Sequence, residues 1–544
     1  MQPRVVLLAA IGALVATDAA PSPSLRGLSV SDSPCNAVTT ASACRTTRDD
    51  DATPCQWCNF PAVGEECLSA AQATSLPPGV STCEDPAATP RSFSFAGTAG
   101  RGDVSVAVRE TVHGRSELCD ANSTSYSGYM DLTGSAYDQH GEDKHLFYWM
   151  FEKRGDGATS NDEDTPFIVW LTGGPGCSST MAMLTENGPC TVDPGGTSTS
   201  TNPSSWTETA HVLWLDQPAG VGYSYGAETD VNEEMVGEDA YYFLQAFFQT
   251  HPEYAGNPLY IVGESYGGHY APAIAHRVWR GNKEKKEGTV PLALAGLSVG
   301  NGLTDPEHQY PAYPEMGYNN SHGIRVFSKL VYETMTAIVP KCVAMIQKCN
   351  SGDSYVDGFA CQAAFASCNL GLTSPYQATG LNPYDIRIRC EKPPLCYDFD
   401  SVSTFLNAAS TKRALGVDEE KVHAWNACNF GINAQFRTDW MKSFAPFVAD
   451  LLDDGIPALM YAGDVDYICN YLGNRAWTKS LEWKGRDDFN AAEEHDWQGI
   501  GRARTDSTGT FTFLQVYDAG HMVPKDQPKN ALDMISNFVN GGKF

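Results

Sequence analysis

The fold is decided by the stretch Leu259-Tyr260-Ile261-Val262-Gly263-Glu264-Ser265-Tyr266-Gly267. It begins with an apolar run typical of a buried strand, and the residues after it, Gly268-His269-Tyr270-Ala271-Pro272, are suited to begin a helix. A sharp strand-to-helix turn of the pattern G-x-S-x-G strains the backbone at the serine, so that its hydroxyl projects above the sheet. The flanking glycines remove Cβ atoms that would collide with neighbouring backbone. The pattern therefore predicts that Ser265 is a nucleophile.

Apolar runs elsewhere in the chain supply the other elements of a sheet. Buried strands are predicted at residues 167–171, 211–215, 292–299 and 458–462. Apolar residues recur with helical spacing over residues 234–248. Strands that alternate with helices indicate an α/β fold, with a mostly parallel sheet covered on both faces. Residues 306–425 break this rhythm and hold six cysteines, so we expect them to form an insertion, or cap, over the catalytic edge of the sheet.

A serine hydroxyl is a weak nucleophile without a base, and α/β-hydrolases supply its partners in the order serine, acid, histidine. His521 follows an apolar run at residues 511–516 and lies in a strand-end loop, where catalytic residues are usually found. His495 lies in a charged run and is expected at the surface. Asp464 and Asp466 both follow a predicted strand, and spacing alone does not separate them: one would be the acid and the other would cap the loop.

The N-terminal part of the chain has a different composition. Residues 1–19 have the features of a signal peptide, with Arg4 before an apolar run too short to span a bilayer. Six cysteines crowd into residues 35–83, which we predict to be a cysteine-rich module held by disulfides. Residues 84–94 are predicted to be a linker, and residues 95–544 the catalytic domain.

The chain of 544 residues contains 17 cysteines and carries a formal net charge of −28. A surface this acidic repels phosphate backbones, so no nucleic-acid partner is expected. No stretch after the signal peptide is long and apolar enough for membrane insertion. These features predict a secretory-pathway protein, either extracellular or vacuolar/lysosomal, with disulfides and one thiol left over. Asn122 and Asn319 begin sequons and are candidate glycosylation sites.

Four longer motifs extend the analysis. They occupy residues 263–272, with the serine, and three further stretches: Trp170-Leu171-Thr172-Gly173-Gly174-Pro175-Gly176-Cys177-Ser178-Ser179, Asp464-Val465-Asp466-Tyr467-Ile468-Cys469-Asn470 and Ala519-Gly520-His521-Met522-Val523-Pro524. Together they resemble the serine carboxypeptidase family, of the carboxypeptidase Y type, from about residue 119 to the C-terminus. The resemblance implies an α/β-hydrolase fold, and an enzyme that releases C-terminal residues from peptides and proteins with a free C-terminus. The module at residues 35–83 resembles, more loosely, a plexin-semaphorin-integrin type domain.

The resemblance assigns roles to individual residues. It makes Asp466 the acid that partners His521 and Ser265. It implies an oxyanion hole formed by backbone N–H groups of Gly174 and Tyr266, one after a Gly-rich loop and one after the nucleophile. The remaining residues are implied to bind the substrate's terminal carboxylate (Trp170, Thr172, Gly173, Glu186 and Glu264) or to line the substrate pocket (Cys469 and Met522).

Carboxylate recognition by Glu186 and Glu264 has a physical consequence. A carboxylate repels another carboxylate unless one of them is protonated, so binding of peptides is expected to be best at acidic pH. Thr172 departs from the family pattern, which has Asn at this position. A threonine offers one hydroxyl donor whereas an asparagine offers two N–H donors, so weaker carboxylate binding or an altered leaving-group preference is expected.

The resemblance also implies the pairs Cys177–Cys428, Cys390–Cys396, Cys342–Cys368 and Cys349–Cys361, which leaves Cys119 to pair with Cys190 and makes Cys469 the free thiol. No metal and no organic cofactor is implied. Two other functions stay open: an acyltransferase or esterase on the same fold, and a non-catalytic binding protein. An aspartate tends to precede the nucleophile in acyltransferase members, so Glu264 favours a peptidase.

Overall fold

A computed structural model describes most of the chain. It divides into two compact units, Met1–Arg91 and Ser92–Phe544. The described residues are 35, 56–60, 64–69, 82–83, 91–97, 103–114, 118–137, 143–155, 163–227, 229–352 and 354–544. The predicted signal peptide, residues 1–19, lies outside the described residues, as does most of the predicted linker.

The end of that linker differs from the prediction. Residues 92–94 were expected to join two domains, whereas they belong to a strand, Ser92–Phe95, at the edge of the large sheet. The strand forms because its backbone pairs antiparallel with residues 104–107. The larger unit therefore begins slightly before the predicted boundary at residue 95.

The described part of the smaller unit contains a three-stranded antiparallel sheet. Its strands are β1 (Gln56–Phe60), β2 (Gly64–Leu68) and β3 (Thr82–Cys83), in the order β2-β1-β3. The side chains of Cys35, Cys58 and Cys67 are buried and disulfide-bonded. So small a sheet buries little apolar surface, and its stability depends on such cross-links.

The larger unit is built on a 13-stranded sheet. The strands of this unit are β4 (Ser92–Phe95), β5 (Val104–Gly114), β6 (Ser125–Thr133), β7 (Asp143–Phe151), β8 (Phe167–Thr172), β9 (Cys190–Val192), β10 (Thr199–Thr201), β11 (His211–Leu215), β12 (Tyr225–Gly226), β13 (Leu259–Glu264), β14 (Leu294–Gly300), β15 (Leu381–Asn382), β16 (Asp385–Arg389), β17 (Ala458–Gly463), β18 (His495–Trp497), β19 (Gly501–Thr505) and β20 (Phe511–Val516). The pairs β9–β10 and β15–β16 are separate hairpins, and the other strands form the sheet.

The centre of the sheet is parallel, in the order β11-β8-β13-β14-β17-β20, and antiparallel strands flank it on both edges. The chain moves outward from β8 to β11 and then crosses to β13 on the other side of β8. Ligands bind beyond the carboxyl ends of parallel strands where the order reverses in this way. The ends of β8 and β13 are therefore the place where the topology favours a site.

The apolar runs predicted the strands closely. The runs at residues 211–215 and 511–516 coincide with β11 and β20 at both ends. The run at residues 259–262 extends to Glu264, because the backbone there continues to pair with both β8 and β14. These strands are buried on both faces, which gives continuous apolar runs instead of alternation.

Helices cover both faces of the sheet. Within the described ranges, every helix is too short or too polar to cross a lipid bilayer. The α-helices are α1 (Ser179–Ala182), α2 (Glu233–Thr250), α3 (Gly267–Glu284), α4 (Pro306–Gln309), α5 (Tyr313–Tyr318), α6 (Lys329–Cys349), α7 (Ser354–Cys368), α8 (Ser374–Gln377), α9 (Asp400–Asn407), α10 (Ala409–Ala414), α11 (Phe430–Gln435), α12 (Ala445–Asp453), α13 (Tyr471–Ser480), α14 (Arg486–Ala491), α15 (Val523–Asp526) and α16 (Pro528–Val539).

The side chains of β8 show how the sheet serves two cores. Phe167, Val169 and Leu171 pack in one hydrophobic cluster with α2 and α3. Ile168 and Trp170 point to the opposite face and pack in a second cluster with α16. Because successive side chains of a strand alternate between faces, one apolar strand fills both cores and is held from both sides.

The segment predicted to be a cap lies between β14 and β17 in the chain. Its residues 306–425 contain helices α4 to α10 and the β15–β16 hairpin. The structure pairs its cysteines as Cys342–Cys368, Cys349–Cys361 and Cys390–Cys396. Elsewhere it pairs Cys119 with Cys190 and Cys177 with Cys428. These are the pairs that the resemblance implied, and Cys469 is a free, buried cysteine.

A buried ion cluster joins the edge of the sheet to a covering helix. Lys144 of β7 is fully buried, and its Nζ lies 2.6 Å from Asp230 Oδ1 and 2.6 Å from Asp239 Oδ2, the latter in α2. Burial and the neighbouring Asp230 raise the pKa of Asp239 to about 7. Removing the lysine would leave two buried carboxyl groups without their shared cation.

We predict that Lys144→Met lowers the free energy of unfolding by about 3–5 kcal/mol, the range for one broken buried ion pair. Where folding raises the pKa of a carboxyl group, the folded protein loses stability as the pH increases through that pKa. The loss in free energy of unfolding should therefore be larger at pH 8 than at pH 5, as measured by denaturant unfolding.

Lys412→Met is the matched control, because the buried Nζ of Lys412 donates to the carbonyl oxygens of Val422 and His423, which do not titrate. A deficit of equal size at both pH values would contradict the prediction.

Candidate active site

The predicted nucleophile lies on a sharp turn between β13 and α3. Ser265 has a φ of 63°, in the left-handed region that costs energy for a residue with a side chain. Its N–H donates to the Gly300 carbonyl (3.1 Å), and its carbonyl accepts from Leu303 N (2.9 Å). A Cβ at Gly267 would lie 2.8 Å from the Leu171 carbonyl oxygen, so the turn needs glycine there. Ser265 is thus held at the edge of a cavity that it helps to line.

The predicted base and acid lie together beyond the ends of β17 and β20. His521 Nδ1 is 2.8 Å from Asp466 Oδ2, and both side chains are buried. The Asp466 carboxylate also accepts backbone N–H groups of Ile468 (3.1 Å) and Cys469 (3.2 Å). These donors satisfy a buried acceptor and fix its direction toward the histidine. His521 lines the same cavity as the serine.

Asn301 completes this arrangement, although the sequence did not assign it a role. Its Nδ2 donates to Asp466 Oδ2 at 2.9 Å, and its Oδ1 accepts from Gly463 N at 3.1 Å. The residue has a φ of 42°, a conformation that asparagine tolerates better than most residues. The only signal in the sequence was the stretch Gly300-Asn301-Gly302 after a strand, which reveals a turn and not the partner of its side chain.

The two aspartates differ in their contacts. Asp464 does not contact His521; its Oδ1 is 2.8 Å from His322 Nε2 and accepts from Asp518 N at 2.9 Å. Asp466 alone of the two hydrogen-bonds the histidine that lines the cavity. Asp464 thus has the loop-capping position that was the alternative for one of the pair.

The predicted oxyanion donors lie on two adjoining backbones. Gly173 packs so closely on the turn that a Cβ there would collide with Tyr266 N. Gly174 has a φ of 113°, which only glycine adopts readily. The side chain of Tyr266 is held in place, because its hydroxyl donates to Asp439 Oδ2 at 3.2 Å. Both Gly174 and Tyr266 line the cavity beside Ser265.

Two buried carboxyl groups lie beside the nucleophile. Glu264 ends β13, and Glu186 lies in the π-helical turn Met183–Asn187. The two carboxyl groups lie close enough for each to affect the pKa of the other. Among the described residues, no donor reaches either oxygen of Glu186 or Oε2 of Glu264.

Burial without donors disfavours the charged form of these groups. It raises the pKa of Glu186 to about 7. Burial and the neighbouring Glu186 raise the pKa of Glu264 well above its ordinary range. The pair therefore keeps a proton at acidic pH and loses it as the pH rises. Glu264 itself lines the cavity, whereas Glu186 lies behind it.

Trp170 and Thr172 are joined by a hydrogen bond at the end of β8. The indole Nε1 of Trp170 donates to Thr172 Oγ1 at 2.9 Å, and both residues are buried. Thr172 and Gly173 line the cavity, whereas Trp170 does not. Because the indole hydrogen is used on Oγ1, the hydroxyl hydrogen of Thr172 is the donor left for a bound group.

The cavity has a volume of about 360 Å³ and lies between the sheet edge and the cap. Aromatic residues dominate its wall: Tyr310, Tyr313, Phe365, Tyr384, Tyr397, Phe399, Phe430 and Trp440. Met522 and Cys469, the predicted pocket residues, also line it. Burial, with Asp466 and Glu264 nearby, raises the pKa of Cys469 well above its ordinary value, so the group is a neutral thiol. The Cys469 sulfur, one oxygen of Asp466 and one nitrogen of His521 lie within 4.8 Å of one another, which follows from the packing of the thiol against the acid–histidine pair.

The chain is similar to known carboxypeptidases over most of its length. The sequence pattern of the serine carboxypeptidase family matches residues 117–541. Identity is 41% over 421 residues with carboxypeptidase Y of Komagataella phaffii, covering 76% of each chain, and 42% over 422 residues with carboxypeptidase Y of Candida albicans, covering 76% of this chain and 73% of that protein.

A solved structure agrees with this likeness. The crystal structure of Kex1(delta)p, a prohormone-processing carboxypeptidase from Saccharomyces cerevisiae, has a TM-score of 0.66 and 26% identity, covering 79% of this chain and 94% of that one. The range 117–541 that the family pattern matches includes Ser265, Asp466, His521 and the cap. The chain belongs to the serine carboxypeptidase family.

Proposed function

We propose that this serine carboxypeptidase uses Ser265 as its nucleophile, His521 as its base and Asp466 as the acid that orients His521. One observation carries the proposal: Ser265, His521 and the buried acid Glu264 line a single cavity, and His521 Nδ1 hydrogen-bonds Asp466 at 2.8 Å. Such a cavity places a nucleophile and a base beside a group that can bind the terminal carboxylate of a peptide. The substrates are peptides and proteins with a free C-terminus.

The reaction is acyl transfer in two steps. Ser265 Oγ attacks the carbonyl carbon of the last peptide bond while His521 takes the hydroxyl proton. Backbone N–H groups of Gly174 and Tyr266 stabilise the oxyanion. His521 then gives the proton to the leaving nitrogen, the C–N bond breaks, and the terminal amino acid departs. Water, deprotonated by His521, attacks the ester carbon, and Ser265 recovers its proton as the shortened peptide leaves.

The terminal carboxylate is recognised by protonated groups. At acidic pH the Glu186–Glu264 pair holds a proton, so Glu264 donates to the substrate's carboxylate. Thr172 Oγ1 and backbone N–H of Gly173 add donors from the end of β8, and Trp170 fixes the threonine. As the pH rises the pair ionises, and repulsion between carboxylates weakens binding. The enzyme is therefore an acid peptidase.

The remaining predictions concern the localisation of the protein and its glycosylation. We place it in the secretory pathway, as an extracellular or vacuolar/lysosomal enzyme, on the basis of residues 1–19 and the disulfides. Asn122 and Asn319, the candidate glycosylation sites, are both exposed. Mass measurement before and after enzymatic removal of N-glycans from protein secreted by a eukaryotic host tests their use.

The proposal is tested with a blocked dipeptide of two apolar residues, chosen because the cavity wall is aromatic, and with its C-terminal amide. Each is incubated with the purified full chain between pH 4 and pH 8, with Ser265→Ala as the control. We expect release of the last amino acid from the free acid, fastest at low pH, and no release by the control. Activity retained in Ser265→Ala would refute the assigned nucleophile.

An acyltransferase or esterase on the same fold is the second candidate. The same assay separates it, with a blocked amino-acid ethyl ester added as a further substrate. Cleavage of the ester by folded protein, without cleavage of the peptide acid, would favour this candidate. Glu264 argues for the peptidase, since a protonated buried acid next to the nucleophile can donate to a bound carboxylate.

Glu264→Gln should flatten the pH dependence of peptide binding. In the unaltered enzyme the bound proton is lost near and above pH 7, so KM for the free acid should rise by up to about tenfold per pH unit there. Glutamine is neutral and donates at every pH, so KM of the variant should change much less between pH 5 and pH 8. Steady-state kinetics measure both, and an ester without a free carboxylate should show the same KM trend in both proteins. An equally steep rise of KM in the variant would contradict carboxylate recognition by Glu264.

Thr172→Asn should strengthen binding of the terminal carboxylate. The asparagine Oδ1 takes the place of Oγ1 as acceptor for Trp170, and its amide supplies a further donor. One added hydrogen bond is worth about 1 kcal/mol, so KM for the peptide acid should fall about fivefold, with kcat little changed. The peptide amide and the ester serve as controls and should be unaffected. Equal changes for all substrates would show that Thr172 does not contact the carboxylate.

A further inference from the structure

The buried carboxylate of Asp464 plays no part in the mechanism proposed above, although it lies two residues before Asp466. Its side chain is almost fully buried, and it is not among the residues that line the cavity. It accepts hydrogen bonds from three residues, one in the cap and two at or just after the end of β20. Oδ1 is 2.8 Å from His322 Nε2 and 2.9 Å from Asp518 N, and Oδ2 is 3.4 Å from Gln515 Nε2.

Two of these contacts join the start of the loop that carries Asp466 to β20 and to the loop after β20, which carries His521. Asp464 begins the loop after β17 that leads to Asp466, and Asp518 lies in the loop after β20 that leads to His521. The backbone of Asp464 adds a bond, since its N–H donates to the Val516 carbonyl at 3.0 Å. Asp518 has a φ of 55°, so its conformation is strained and depends on such contacts. The carboxylate therefore bridges the two loops at their bases.

The third contact reaches into the cap. Because the ionised carboxylate only accepts, His322 Nε2 carries the hydrogen of this bond. The loop of His322 is itself held: Asn320 Oδ1 accepts from His322 N and from Ile324 N, each at 3.1 Å. Ser321 N donates to the Tyr471 hydroxyl at 3.2 Å. His322 thus approaches Asp464 from an ordered segment.

We propose that Asp464 is a positioning residue: its carboxylate holds the acid loop and the histidine loop together and ties the cap to them through His322. The inference rests on the proposed triad, whose geometry it explains. Asp466 and His521 come from different strands, and their 2.8 Å bond requires that the two loops keep their relative position. Misplacement of a catalytic group by about 1 Å can cost on the order of 100-fold in rate.

The proposal predicts an effect on turnover that does not depend on the substrate's carboxylate. Asp464→Ala should lower kcat about 10- to 100-fold for the blocked dipeptide and for an ethyl ester alike, with a small change in KM. Asp464→Asn keeps an acceptor for His322 and Asp518 N, so it should recover most of this loss. His322→Ala removes only the tie to the cap and should give a smaller decrease in kcat, of about threefold to tenfold.

Asp506→Ala is the matched control. Asp506 is also buried and accepts backbone N–H groups of Phe511 (2.6 Å) and Thr508 (3.1 Å), but it lies at the opposite end of β20 from His521. Its loss should lower the melting temperature and leave kcat per folded molecule unchanged. Circular dichroism gives the folded fraction of each variant.

The pH profile gives a readout that stability alone would not move. The acid limb of kcat/KM for the ester follows protonation of the catalytic base in the free enzyme. A loosened acid loop stabilises the protonated base less, so this limb should move to lower pH in Asp464→Ala and stay in place in Asp506→Ala.

Several outcomes would overturn the inference. A kcat of folded Asp464→Ala within twofold of the unaltered enzyme would do so, as would equal losses in Asp464→Ala and Asp506→Ala. Should Asp464→Ala not fold, an unchanged kcat together with an unmoved acid limb in His322→Ala would decide against it. Failure of the proposed function is distinct: it would appear as an inactive unaltered enzyme or an active Ser265→Ala.

Discussion

The buried carboxylate of Asp466 is the constraint on which the site depends. A carboxylate removed from water is costly unless each lone pair finds a donor. Here the donors come from His521, from the Asn301 side chain and from the backbone of its own loop. Each of them lies beyond the carboxyl end of a different strand or in the adjoining loop. Satisfying one charge therefore fixes the relative positions of the ends of β14, β17 and β20, and with them the direction of the histidine.

The Glu186–Glu264 pair lies in an environment opposite to that of Asp466, because it is buried with few hydrogen-bond donors. Asp466 is surrounded by donors, whereas no donor among the described residues reaches either oxygen of Glu186 or Oε2 of Glu264. In the proposed mechanism, groups of the same chemistry are thereby divided into an acceptor that orients a base and a protonated donor suited to a carboxylate. Environments that separate carboxyl groups in this way are how a single site combines acid and base roles. Ser265 lies directly after Glu264, so both environments meet at the nucleophile.

Local sequence predicted what is local in the structure. The strands β11 and β20 were visible from their apolar runs, because burial on both faces leaves no polar positions. The turn at Ser265 was visible because its glycines are demanded by backbone contacts within and beside it. Ser265, His521, Cys469 and Met522, which the resemblance pointed to, line one cavity, and Asp466 hydrogen-bonds His521 beside it. By contrast, the roles of Asp464 and Asp466 depend on contacts with residues far along the chain, and spacing could not separate them. Asn301 was missed for the same reason, because its side chain donates to Asp466, a partner 165 positions away.

The cap illustrates why some contacts of the site could not be predicted from the sequence. Its segment around Tyr384 contributes backbone as well as side chains: the Tyr384 carbonyl accepts His521 N (2.9 Å), and the Pro383 carbonyl accepts Tyr467 N and Ile468 N (3.1 and 3.0 Å). Ile386 N donates to the Val465 carbonyl at 2.9 Å, so this short segment pairs with both catalytic loops. Backbone pairing of this kind places no demand on residue type and leaves no periodic pattern. It nevertheless joins the cap to the loops that carry Asp466 and His521, since both loops form backbone hydrogen bonds with it. The insertion that covers the pocket is thus also part of the structure that holds the proposed triad, and we expect exchange of the cap for another to alter catalysis as well as substrate choice.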